Sequence, residues 1–294
     1  MNRKDFLKVL GLASLSFSMN SLKDLNNYAE ELPATEKTPL LFLGHGSPMN
    51  AIEENQFVEG FRKTAKTFSK PKAIICISAH WLTRGTKVTA MLNPRTIHDF
   101  GGFPKELFEV QYPAKGSPEL AKQAKEILLP TEVELDSQWG LDHGAWSVLK
   151  HFYPEADVPV IQLSIDYYKP ASYHFELAQK LQSLREKGVL IVGSGNIIHN
   201  LGLVDFRNIN TDNYGYDWAI EARELTNKYL LDGDFNALVE YQKLPKSIQL
   251  AVPTPDHYLP LIYTLGLKTK QENLSLFNDK LVGGSLSMTS VKIS

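Results

Sequence analysis

The chain has 294 residues, 43% of them hydrophobic and 22% charged, with a formal net charge of −2. That length supports a sizeable core in one large domain or two small ones. The near-neutral charge balance gives no electrostatic reason to expect nucleic acid or an anionic membrane as partner.

In chain order, the first element is an extension over residues 1–38. It has a basic start, a short apolar segment (FLKVLGLASLSFSM) and a polar tail. The apolar segment is too short to span a bilayer but suits a signal-peptide core. Arg3-Lys4-Asp5-Phe6-Leu7-Lys8 resembles a twin-arginine export signal with its second arginine replaced by lysine. Two expectations follow: export to the periplasm, or a cytoplasmic protein carrying a disordered or loosely helical extension.

From residue 39 onward, apolar runs alternate with helical segments. Strands are predicted at 39–44, 72–79, 86–92, 158–165, 188–195 and 285–293. Cys76, the single cysteine, lies in the second of these runs and reads as a small buried hydrophobe. A lone cysteine also excludes an internal disulfide and a cysteine-rich zinc site. A helix is predicted from Pro118, with Ser117 as its N-cap. Another is predicted over 169–188, closing on Gly188, and a third over 216–234, ending at Asp232-Gly233. Continuous apolar strands interleaved with helices predict a single α/β domain over 39–294. Its central sheet is expected to be mostly parallel or mixed, with helices on both faces.

In such sheets ligands bind beyond the carboxyl ends of the strands. Five histidines fall at such places. His45 follows the first strand between two glycines, in LFLGHGSPMN, and His80 follows the second, in CISAHW. His199 comes shortly after the strand that ends in Gly-Ser-Gly, and His143 opens a helical segment in GLDHGAW. His257 is expected in the first turn of a helix capped by Thr254 and begun by Pro255. The glycines beside His45 are expected to leave room for a close approach by metal and substrate. Imidazole is the commonest metal ligand, so convergence of these side chains predicts a metal site. His151 and His174 lie within helical patterns and read as surface or ordinary packing residues, while His98 in TIHDFGGFP is unassigned. Competing motifs are poor. GSGNII lacks the third glycine of a dinucleotide fingerprint, no G-x-x-x-x-G-K-[ST] occurs, and Val192 stands two before Ser194, where a nucleophile elbow needs glycine.

LFLGHGSPMN, SAHWLTRGTKVTAM, TIHDFGGFP, WGLDHGAWSVL, QLSID, GSGNIIHNL and PTPDHYLPLIY follow one another in an order that resembles the 4,5-DOPA extradiol dioxygenases. These are class III ring-opening dioxygenases, related to the catalytic subunit of protocatechuate 4,5-dioxygenase. The resemblance covers everything from Pro39 to the carboxyl terminus.

It implies an α/β fold around one non-haem divalent metal, Fe(II) for activity or Zn(II) as a substitute. The implied reaction is opening of a catechol, DOPA or similar, with O2; no nucleic-acid or membrane partner is implied. Carried over by motif, His45, His80 and His257 are implied as metal ligands. His199 is implied as a fourth ligand or as an acid–base residue, and His143 as a second catalytic histidine. The broader class uses two histidines and a carboxylate, which leaves Asp256 as the alternative to His257. Trp81, Phe100, Phe103, Trp139, Trp146 and Tyr258 adjoin these motifs and are expected to wall an apolar pocket. The rival readings are a zinc-dependent hydrolase using the same histidines and a non-catalytic metal-binding protein.

Overall fold

In the computed structural model, residues 37–294 are described. The export signal expected near the amino terminus lies outside them. Among the described residues no helix is long and apolar enough to cross a membrane.

Six strands form the central sheet: β1 (Leu40–Gly44), β2 (Ala73–Ser78), β3 (Val160–Gln162), β4 (Val189–Gly195), β5 (Leu274–Phe277) and β6 (Ser290–Ile293). The main helices are α1 (Gln56–Ala65), α2 (Pro118–Ile127), α3 (His143–Phe152), α4 (Ala171–Gln179), α5 (Asp217–Asp232) and α6 (Leu259–Gly266). The strand order is β3-β2-β4-β1-β6-β5. The first four strands are mutually parallel, whereas β6 runs antiparallel to both β1 and β5. The sheet is therefore mixed, and β1, β2 and β4 present their carboxyl ends side by side.

Successive strand residues point to opposite faces, and the chain fills both. Leu40, Phe42, Ile75, Ile77 and Ile191 pack with Leu177 of α4 and Leu261, Ile262 and Leu265 of α6. Leu41, Leu43, Ile74, Cys76, Leu190 and Val192 pack with Phe61 of α1 and with Trp146, Val148 and Leu149 of α3. Each fully buried residue of this kind contributes roughly 1.5–3 kcal/mol, which is why these strands read as unbroken apolar runs.

Local sequence accounts for several helix ends. Ser117 caps α2 by accepting from Leu120 N, and Gly233 closes α5 in the left-handed conformation at φ 74°. The helix expected over 169–188 is broken: α4 ends at Gln179, and a separate short helix covers Gln182–Glu186. The strand expected over 158–165 splits at Leu163-Ser164, the run at 285–293 splits before β6, and α1 and the edge strand β5 were not anticipated.

Candidate metal centre

Every predicted site histidine lies at the carboxyl-terminal edge of the sheet or on a helix facing it. His45 directly follows β1, and its backbone N–H donates to Gly195 O at the end of β4 (3.0 Å). His80 stands two residues after β2. His143 is the first residue of α3, whose N-cap Asp142 accepts from Ala145 N. His257 is not in the first turn of α6, as expected, but in the turn just before it. Pro260, with no N–H to give, is tolerated only at the start of a helix and fixes α6 to begin at Leu259. Asn196 N donates to His257 O (2.9 Å), so the end of β4 also holds this turn.

His45, His80 and His257 each place a ligating atom within 4.8 Å of the others'. The other ring nitrogen of each faces a polar side chain. Ser194 Oγ donates to Gly144 O (2.5 Å), so at its 3.0 Å contact with His45 Nδ1 it accepts. The proton of His45 is thereby on Nδ1, and Nε2 carries the free lone pair. His257 Nδ1 is bonded to the Asp256 carboxylate. His80 Nδ1 lies 3.3 Å from Asp99 Oδ2. On the facing side, His80 Nε2 and His45 Nε2 are 3.3 Å apart. Two imidazole nitrogens each about 2.1 Å from one ion stand about 3.0–3.4 Å apart between right-angled and tetrahedral geometry. The donor set fits a divalent metal. Asp256 lies on the Nδ1 side of His257, where a carboxylate can orient an imidazole.

His199 stands beside this trio. Its ring stacks flat on that of His257, with centroids 3.5 Å apart and planes 9° from parallel, and it groups with Asp256 and His257 rather than with His45 and His80. His143 lies against His80, with ring centroids 3.9 Å apart.

The electrostatics follow from burial. Desolvation, reinforced by the neighbouring histidines, holds His45 and His80 well below the usual imidazole range. Desolvation, with His257 next to it, brings His199 down to about 3. Neutral imidazoles are the form that binds metal. Burial pushes Asp99 and Asp256 upward, but the adjoining histidines more than offset this and leave both below the usual carboxylate range. Asp142 goes the other way: burial and the charge of Asp99 raise it against hydrogen bonds from Gln162 and Ser78.

Three supporting residues escaped the sequence reading. Asp99 shares the loop motif with His98 but not its direction, since His98 Nε2 turns to Val110 O (2.9 Å). Ser194, which lacks the glycine of a nucleophile elbow, bonds His45 Nδ1 instead. Asp142, the N-cap of α3, also accepts from Ser78 Oγ (2.6 Å), Gln162 Nε2 (2.7 Å) and Trp139 Nε1 (3.3 Å). The glycines beside His45 need a different explanation from the expected one. A Cβ on Gly44 would sit 2.6 Å from Met288 O, and Gly46 has φ +62° with Met288 Sδ 2.4 Å from its would-be Cβ. They admit the Met288 segment rather than a ligand.

The expected aromatic wall divides. Phe100 meets His143 edge-on at 5.4 Å and Phe103 at 5.5 Å, and Trp81 stacks on Trp139 at 5.8 Å. Trp146 and Tyr258 are core residues, their polar tips bonded to Ile97 O and Leu238 O. His151 and His174 are buried packing residues.

A mixed α/β sheet whose strand ends gather histidines, three of them with a ligating nitrogen within 4.8 Å of the others', defines an enzyme-type site able to hold a metal ion. The family model for the catalytic LigB subunit of aromatic ring-opening dioxygenase matches residues 38–281, and the chain belongs to this family. It is 46% identical over 266 residues to the 4,5-DOPA dioxygenase extradiol of Escherichia coli K12, covering 88% of this chain and 96% of that one. It is 36% identical over 261 residues to the Beta vulgaris protein of the same description, covering 86% and 95%. A crystal structure of an uncharacterized Escherichia coli K12 protein superposes with a TM-score of 0.76 at 43% identity, covering 87% of this chain and all (100%) of that one. The chain is thus a ring-opening dioxygenase, and its family implies a small aromatic substrate.

Proposed function

We propose that this enzyme is a metal-dependent extradiol dioxygenase that opens a catechol, DOPA or a close analogue, with O2. One observation carries the reading. His45, His80 and His257 each have Nδ1 against a polar partner, which leaves three Nε2 lone pairs for one ion. Three imidazoles leave coordination positions open, as oxygen-activating iron sites require. Fe(II), when bound there, supplies the sites at which catechol and O2 meet and stabilises the catechol anion.

The chain's own residues do the rest. His143 takes a proton from a catechol hydroxyl, as general base. His199, stacked on His257 rather than grouped with the three, handles a proton and does not ligate. Phe100 and Phe103 exclude water from one side and give the ring an apolar wall.

The test is O2 uptake by Fe(II)-reconstituted protein given L-DOPA, with the yellow ring-opened product followed in the same cuvette. One O2 consumed per product formed is the expected result. No uptake with DOPA or a panel of small catechols, in protein shown to hold iron, overturns the reading; hydrolysis by the Zn(II) form would replace it.

A further inference from the structure

Asp99 has a backbone at the protein surface, yet its side chain is only 18% exposed and turns in between two histidines. Oδ1 accepts from the backbone N–H of His143 (2.8 Å). Oδ2 lies 3.3 Å from His80 Nδ1 and 3.0 Å from His143 Nδ1. Both contacts are close, and neither is aligned as a hydrogen bond. One carboxylate oxygen therefore faces the Nδ1 atoms of two different imidazoles.

We propose that Asp99 is a shared positioning residue, whose single carboxylate fixes the tautomer and aim of both His80 and His143. The proposal rests on the reading above, in which His80 ligates and His143 accepts a proton. A neutral imidazole has one N–H and one lone pair. A carboxylate is acceptor-only and has lone pairs enough for both rings, so it holds both protons on Nδ1. This leaves Nε2 of His80 for the metal and Nε2 of His143 for the substrate hydroxyl. The bond from His143 N locks the carboxylate plane, and the loop is tied to the first turn of α3.

Asparagine cannot replace this arrangement. If its carbonyl oxygen serves His143 N–H, its NH2 faces both rings and donates to a nitrogen that must itself be a donor. If it is flipped, the NH2 meets the backbone N–H. In the first orientation the imidazoles lose their tautomer; in the second the side chain loses the bond that locks its plane.

The test uses full-length Asp99→Asn and reads three quantities. Fe(II) affinity is measured anaerobically by competition with a chromophoric chelator, kcat and KM at saturating metal, and the unfolding midpoint without metal. We expect affinity to fall about 10–100-fold, the range for carboxylates that orient a ligating histidine. At saturating Fe(II), kcat falls about tenfold or more by the same reasoning, while catechol KM changes less than about threefold. The metal-free midpoint stays within about 3 °C, equivalent to about 1 kcal/mol. A folded variant in which either affinity or kcat stays within about twofold of the unaltered protein overturns the shared role.

If the variant does not fold, Asp99→Ala with added formate takes its place. Recovery of Fe(II) affinity with formate supports the proposal, and no recovery overturns it. Failure of the unaltered protein to turn over any catechol would sink the proposed reaction instead, and the affinity measurement would still decide the His80 half.

Discussion

His199 lies face to face on His257, 3.5 Å away and within 9° of parallel. Parallel rings at that spacing cannot both aim an edge nitrogen at one ion lying in the plane of His257, so under the proposed function the two histidines take different roles. His257→Ala is expected to abolish tight metal binding. His199→Ala is expected to retain the metal within a few-fold while lowering kcat by about 10²–10⁴, the usual contribution of a positioned acid–base group. Elemental analysis after gel filtration, with kcat on the same samples, checks this. Loss of stoichiometric metal from His199→Ala would make it a fourth ligand.

Ser194 controls His45 from the far side of its ring. Its proton goes to Gly144 O, so its oxygen can only accept from His45 Nδ1. Removing the hydroxyl leaves a buried N–H and a buried carbonyl without this partner, at about 1–3 kcal/mol each where water does not replace it. Ser194→Ala is expected to weaken Fe(II) binding by about 10–100-fold and to lower thermal stability. Chelator competition and a denaturation curve on one preparation read both. Unchanged metal affinity would show that His45 keeps its tautomer without help.

The positions of the histidines were legible because each marks a junction visible in one dimension, a strand end or a helix start. What holds them was not. Asp99 sits in an aperiodic loop, TIHDFGGFP, and nothing local tells where that loop's side chains land. Ser194 closes a strand whose partner carbonyl, on Gly144, is 50 residues away. The same limit explains the misread glycines: Gly44 and Gly46 are small because of Met288, more than 240 positions later. The two sheet faces were legible, since residues alternate between them. The break in the 169–188 helix was not, because no glycine or proline marks it.

An added Cβ at Gly44 meets backbone, Met288 O at 2.6 Å, which cannot swing aside as a flexible side chain would. Gly44→Ala is expected to cost about 1–3 kcal/mol, the range for overpacking, and to disturb the adjoining His45. At Gly101 an added Cβ meets nothing within 4 Å, so Gly101→Ala should stay within about 0.5 kcal/mol. Urea denaturation of the metal-free proteins separates them. Equal midpoints would mean that the Met288 segment yields, and that the glycine was not needed for packing.

Away from the metal centre, His174 gives stability a pH dependence with a definite sign. It is buried, its Nδ1 lies 2.9 Å from Tyr263 Oη, and its Nε2 makes no aligned hydrogen bond, although the ring faces the backbone of Asp166 and Lys169. Desolvation lowers its pKa from 6.5 to about 4, against the opposing charge of Asp166; Tyr263 and Tyr173 are the other titratable groups against it. With the folded pKa below the unfolded one, the unfolded chain binds the proton first. The stabilisation is complete above about pH 6.5. It is lost progressively as pH falls to about 4, and below that it changes no further, since both states are then protonated. The loss amounts to roughly 3 kcal/mol. His174→Gln removes the titration and keeps a polar partner for Tyr263. Urea unfolding at pH 7 and pH 4.5 should show the unaltered protein losing more stability on acidification than the variant by most of that amount. Parallel losses would mean that His174 titrates normally and that water reaches its Nε2.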